Sequence, residues 1–265
     1  MKHILVPIGT SKNSVNTLQY AVDLASKFGS DIYVMQAFTL ISKAGSMASI
    51  EQKVVETSHR QLEEVIAGVD RKGVKIKVAT YNGSPVDGVK AIDKEFGIDL
   101  IVLEPKSNDI REEVFLGSTS GSIVKRTNIP ALIVPEGNTF KNYKSALVAF
   151  KSGIVRNKTL LNPLRDMKEM FGLTLNLLLV KTPNYSQNDL RVDPALMDLS
   201  SNIQITENTT TFEGVLEHFQ QHNPEILVVF RRKRGFFAKL WEKNIILKRE
   251  FRCSIPLLVL SVKKY

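Results

Sequence analysis

The chain has 265 residues, 43% hydrophobic and 24% charged, which excludes disorder over most of its length and suggests two domains at about 150 residues each. Lys and Arg number 36 against 27 Asp and Glu, a formal charge of +9 that suits anionic partners better than cationic ones. No apolar run approaches the ~18 residues of a membrane span, the opening Met1 to Gly9 lacks the apolar core of a secretory signal, and the single cysteine, Cys253, has no intrachain partner; together these lead us to expect a cytoplasmic protein.

In chain order, short β-branched runs alternate with helical patterns. The first half reads as strand 3–7, helix 14–28, strand 31–38, helix 50–69, strand 74–81, helix 86–96, strand 100–103, helix 118–127 and strand 131–134. Leu18, Ala21, Val22, Ala25 and Phe28 recur at three- and four-residue steps, one buried helix face. Pro85 suits a first helical turn, where its missing N–H costs nothing. Leu100-Ile101-Val102-Leu103 is apolar throughout, the mark of a strand covered on both faces in a parallel sheet. The second half reads as strand 145–150, helix 158–171, strand 173–180, helix 189–199, strand 203–206, helix 212–222, strand 226–230, helix 239–251 and strand 257–260.

The two halves repeat one order, and Asn128-Ile129-Pro130-Ala131-Leu132-Ile133-Val134 is close to Ser254-Ile255-Pro256-Leu257-Leu258-Val259-Leu260. We therefore expect a duplicated α/β architecture, residues 1–138 and 143–265, joined by the polar segment 136–142. Each repeat is expected to form an open parallel sheet flanked by helices.

Ile4-Leu5-Val6-Pro7, Gly83-Ser84-Pro85, Leu116-Gly117-Ser118 and Ile129-Pro130-Ala131-Leu132-Ile133-Val134 resemble the universal stress protein family. The resemblance extends to both halves, so the chain looks like a tandem member, and its second half is similar to second repeats of bacterial tandem members. The family implies a five-stranded parallel sheet in each repeat. It also implies an intrachain pseudo-dimer through the last strands, Ala131 to Val134 and Leu257 to Leu260. A further homodimer is compatible with this. Many members bind adenine nucleotide at the carboxyl ends of the strands, as open α/β sheets do.

The family pattern is an Asp after the first strand, then Gly-x2-Gly-x9-Gly-Ser/Thr after the fourth. Glycines admit backbone N–H groups close to phosphates, and the following helix start supplies positive dipole. Carried onto this chain, the last part survives as Gly117-Ser118-Thr119, while the two earlier glycines fall on Glu104 and Ser107. The Asp position is Gly9, with Ser11 two residues on, and the strand-end neighbours are Pro7, Ile8, Ala37 and Leu103. A Glu104 carboxylate about 5 Å from a phosphate would cost roughly 3 kcal/mol at an effective dielectric near 20, about a hundredfold in affinity, and Lys106 would offset part of it. ATP or another adenine nucleotide is thus a weak expectation for the first repeat. In the second repeat Phe230, Lys233 and Lys243-Asn244 replace the motif, so no nucleotide is expected there.

From Arg231 onward the tail carries Arg231, Arg232, Lys233, Arg234, Lys239, Lys243, Lys248, Arg249, Arg252, Lys263 and Lys264 against Glu242 and Glu250. Arg231, Arg232, Lys233 and Arg234 are therefore candidates for an anion or partner surface. Phe236, Phe237 and Trp241 interleave with the run, but no helix-turn-helix, zinc-finger or aromatic RNA-binding signature accompanies it, so nucleic acid and membrane are not expected partners. His218 and His222 share a helix face without further ligands, and Gly117-Ser118-Thr119-Ser120-Gly121 lacks the strand and His–carboxylate pair of a nucleophile elbow. Cys253 is expected to be a buried small hydrophobe. The expectation is a non-enzymatic stress-response or regulatory binding module. Its alternative is a scaffold without nucleotide that recruits an unknown protein partner through the basic second repeat.

Overall fold

The structure is a computed structural model that describes residues 1–9, 11–39, 47–105, 114–155, 157–183, 185–209, 211–231, 246–247 and 253–261. The chain divides into two compact units, residues 1–104 with 136–140, and residues 105–135 with 141–265.

The first unit contains β1 (His3–Pro7), α1 (Ser14–Phe28), β2 (Asp31–Phe38), α2 (Met47–Ala67), β3 (Ile76–Asn82), α3 (Pro85–Phe96) and β4 (Leu100–Leu103). Its strands lie in the order β3-β2-β1-β4, all parallel. In register, His3 faces Asp31, Ile32 faces Ile76 and Ile4 faces Leu100. Leu18, Ala21, Val22 and Ala25 of α1 are buried, the face that the helical spacing marks out. Gly29 ends α1 at φ +65, the left-handed conformation that closes a helix at least cost for a residue without Cβ. Ser84 caps α3 by accepting a hydrogen bond from the Asp87 N–H, and Pro85 occupies the first turn.

The second unit contains β5 (Val114–Leu116), α4 (Ser118–Arg126), β6 (Ala131–Ile133), β7 (Ser145–Phe150), α5 (Asn162–Phe171), β8 (Thr174–Lys181), α6 (Pro194–Met197), β9 (Asn202–Glu207), α7 (Thr211–His222), β10 (Ile226–Arg231), β11 (Ile246–Leu247) and β12 (Leu257–Ser261). The main strands run β9-β8-β7-β10-β12-β6. All neighbours are parallel except β6, which pairs antiparallel with β12, Leu258 opposite Leu132. The expected all-parallel sheet is therefore mixed and mostly parallel. Residues 105–135 group with the later half because β6 adds its edge to β12 and β5 pairs antiparallel with β11.

Three expected elements differ. Residues 158–171 begin as a 3-10 turn, Lys158–Leu161, before α5, where Pro163 enters the first helical turn. The helix expected over 189–199 is a 3-10 turn, Gln187–Leu190, and the single turn of α6, because Pro194 has no N–H to continue a helix and disfavours the helical conformation at Asp193. In the helix expected over 239–251, Ile246–Leu247 is instead a strand, its backbone paired with β5; the remaining positions lie outside the described residues.

Candidate functional site

In an open α/β sheet the binding crevice lies beyond the carboxyl ends of the strands, where the strand order reverses. In the first unit that reversal falls between β1 and β4. Pro7 ends β1, Ala37 sits one residue before the end of β2, and Leu103 ends β4. The Ile8 N–H donates to the Met35 carbonyl at 2.7 Å, which carries the β1 pairing one residue further. Ile8 and Leu103 are buried and form an apolar base, while Gly9 and Ser11 are exposed on the loop that follows. The fold thus gathers Pro7, Ile8, Gly9, Ser11, Ala37, Leu103 and Glu104 at one end of the sheet.

Glu104 governs the electrostatics of this loop pair. Burial pushes its carboxyl above the ordinary value of 4.5, a hydrogen bond from the Ser11 hydroxyl opposes the rise, and the charge of Glu136 adds to it. A phosphate near this carboxylate is disfavoured while Glu104 is ionised. At Gly9, where the family pattern has Asp, a Cβ would meet nothing within 4 Å, so the missing side chain is not a steric necessity.

Gly117, Ser118 and Thr119 belong to the second unit, at the start of α4. The N-cap residue is Gly117, in extended conformation, a glycine that brings no capping side chain of its own. Ser118 is the first helical residue. Ser118 and Thr119 are exposed, the first turn carries no acidic residue, and Lys125 and Arg126 occupy the last turn. The start of a helix carries backbone N–H donors and the positive end of the helix dipole, which fit an anion. Lys106 and Ser107 lie outside the described residues.

Of the four cations proposed from the sequence as an anion surface, Arg232, Lys233 and Arg234 also lie outside the described residues. Arg231 is described, and its guanidinium is turned into the fold. One Nη donates to the Lys125 carbonyl at 2.8 Å, and the other to the Thr127 carbonyl at 2.8 Å and to Asn128 Oδ1 at 3.4 Å. Nε donates to Ser261 Oγ at 3.2 Å. Burial lowers its pKa from the usual arginine value. Arg231 therefore closes the carboxyl end of α4, where a cation meets the negative end of the helix dipole.

Sequence reasoning missed a second serine–carboxylate pair. In the second unit Asp189 Oδ2 accepts from the Ser186 N–H at 2.9 Å and from Ser186 Oγ at 2.8 Å, and, against the rise from burial, its carboxyl is held below its ordinary value by hydrogen bonding and the charge of Lys151. The signal was the Ser186-x-x-Asp189 spacing of a capping box, which the structure forms in full. Cys253 is buried, and burial pushes its thiol up to about 11. Among the described residues no group of three or more His, Cys, Asp and Glu side chains is placed to hold a metal ion, and no helix is long and apolar enough to cross a membrane.

Comparison with known proteins places this geometry in a family. The model of the universal stress protein family matches residues 1–135. A universal stress protein of Methanocaldococcus jannaschii is 25% identical over 138 residues, 50% of this chain and 81% of that protein. Among solved structures, a universal stress protein from Archaeoglobus fulgidus superposes with a TM-score of 0.70 at 20% identity, covering 98% of this chain and 96% of that one. A protein from Pseudomonas aeruginosa described as functionally unknown superposes with a TM-score of 0.57 at 11% identity, covering 98% and 92%. At these identities the structural likeness speaks for the fold alone.

Proposed function

Because this chain belongs to the universal stress protein family, we propose that it is a non-enzymatic regulatory binding module that takes an adenine nucleotide weakly. The observation that carries this reading is the start of α4 at Gly117-Ser118-Thr119, with a glycine at the N-cap and no acidic residue in its first turn. Phosphate oxygens accept from those N–H groups and from the Ser118 and Thr119 hydroxyls. Pro7, Ile8, Gly9, Ser11, Ala37, Leu103 and Glu104 are the residues proposed for the remainder of the nucleotide, together with Lys106 and Ser107, which the sequence nominates and which lie outside the described residues. Glu104 sets the affinity low. No general base, metal carboxylate or nucleophile is assigned, so the role is occupancy rather than turnover.

The second half is proposed as the structural partner of the first. The pairing of β6 with β12 supports an intrachain pseudo-dimer of the kind the family resemblance implies. The surplus of cations after Arg231 favours a second reading, a scaffold that docks an acidic protein partner through Arg232, Lys233 and Arg234. Saturating Mg-ATP separates the two. A nucleotide-responsive module gains about 2.7 kcal/mol of stability at a hundred times its Kd, seen as a rise in Tm, whereas a scaffold does not respond. No rise at millimolar Mg-ATP would overturn the nucleotide reading.

A further inference from the structure

Within the second unit, α4 is held at both ends by groups from far along the chain. β5 ends at Leu116, the residue before the N-cap Gly117, and its backbone pairs antiparallel with β11, Leu116 opposite Ile246 and Val114 opposite Leu247. The Gly117 carbonyl then accepts from the Gly121 N–H at 2.8 Å. At the other end the Thr127 N–H and hydroxyl both donate to the Ile123 carbonyl, at 3.0 and 2.8 Å. The carbonyls of Lys125 and Thr127 are taken by Arg231, each at 2.8 Å. Arg231 is itself fixed: it ends β10, lies in register with Ser261 of β12, and donates from Nε to Ser261 Oγ.

The helix between these tethers has little else to hold it. Its nine residues span about 14 Å, and of them only Gly121, Ile123 and Val124 are buried. A helix this short is marginal by itself, because its first turn fixes several dihedral angles for a single hydrogen bond. An anion at its start needs the first-turn N–H groups to point together. The guanidinium on its last carbonyls supplies charge-assisted bonds where a helix otherwise frays. In sequence the two tethers bracket Arg232, Lys233, Arg234, Lys239 and Lys243, the first part of the basic run.

We propose that Arg231 is a positioning residue for the phosphate-binding start of α4, and that Arg231 and β11 together set the affinity of that start through their tethers on the helix. This rests on the nucleotide reading above and adds its regulation. By linkage the effect runs both ways: a ligand that orders the first turn tightens the pairing of Leu116 with Ile246 and the grip of Arg231 on Lys125 and Thr127. An acidic partner that binds the cations between the tethers and shifts either one changes nucleotide affinity by the factor by which nucleotide changes its own.

The test titrates the full chain calorimetrically with Mg-ATP, at a temperature where each variant is folded by circular dichroism. The parent is expected to bind, and Arg231→Lys to bind at least about fivefold more weakly. Ser84→Ala, which loses a cap in the first unit, is expected to bind as the parent does, and so separates positioning from general destabilisation. Hydrogen exchange on the parent needs no variant and decides alone if Arg231→Lys does not fold: saturating Mg-ATP is expected to slow exchange at Ile246 and Leu247. A parent that binds Mg-ATP no more tightly than folded Arg231→Lys overturns the proposal and leaves the nucleotide reading standing. So does exchange at Ile246 and Leu247 that ignores bound Mg-ATP, or a Ser84→Ala protein weakened as much as Arg231→Lys. No binding by the parent overturns the nucleotide reading and this proposal with it.

Discussion

Glu104 stands where the family pattern has a glycine, and its half-buried carboxyl shares the Ser11 hydroxyl at the carboxyl end of the first sheet. Burial, with a smaller push from Glu136, raises its pKa, so the fold favours the protonated form. The associated stability is full below the ordinary value of 4.5 and is lost as pH rises through the folded-state pKa. Glu104→Gln is therefore expected to melt higher than the parent near pH 7 and together with it near about pH 4; a constant gap over that range would contradict the assignment. The same change is expected to tighten Mg-ATP by up to about a hundredfold in calorimetric titration. Arg231 makes the opposite case, a charge that the fold uses. Arg231→Ala removes bonds to the Lys125 and Thr127 carbonyls and is expected to cost about 2–4 kcal/mol in urea unfolding. Arg231→Lys is expected to recover less than half of that, since an ammonium has no planar fork. The charge of Arg231 was legible in the sequence, but its partners, 104 and 106 residues away, were not. Cys253, by contrast, was readable as a buried hydrophobe, and its raised thiol pKa predicts negligible maleimide labelling at neutral pH until the chain is unfolded.

At the scale of elements, α3 shows how closely local chemistry and packing agree. Ser84 accepts from the Asp87 N–H, and losing that cap in Ser84→Ala is expected to cost about 1 kcal/mol by thermal denaturation. Four residues on, a Cβ at Gly88 would lie 2.9 Å from Met35 Sδ and 3.0 Å from Tyr81 Cβ, so α3 packs onto β2 and β3 through a missing side chain. Gly88→Ala is expected to destabilise by about 1–3 kcal/mol, and an unchanged midpoint would show that α3 can shift. The strands were legible because apolar β-branched runs such as Leu100-Ile101-Val102-Leu103 allow few alternatives. Short elements were not. Ile246–Leu247 has a helical sequence context, yet it pairs with Val114–Leu116 far away in the chain, and tertiary pairing overrides local preference. β1 and β7 are each tied down by a carboxylate from the turn before a later strand. Asp99 accepts from the Lys2 and His3 N–H groups, and Glu225 from the Lys144 N–H and the Lys141 ammonium. Neither acid stood out in the sequence, because a single Asp or Glu before an apolar run carries no periodicity.

For the whole molecule, the α/β architecture and the family were legible from strand composition and four short motifs, whereas the grouping of residues 105–135 with the later half was not. That grouping depends on strand pairing and on Arg231, both long-range in sequence. The candidate site was only partly legible for a related reason: Gly117-Ser118 at the start of α4 could be read from the spacing, while the burial that raises the Glu104 pKa could not. The measurement that tests this account most directly is calorimetric titration of nucleotide-free protein with Mg-ATP, run in parallel on Gly117→Glu. Saturable heat with a Kd on the order of 10–100 μM in the parent, abolished by Gly117→Glu in a variant with unchanged circular dichroism, is the predicted result. No heat in the parent at millimolar Mg-ATP, or equal heat in both proteins, would contradict the account.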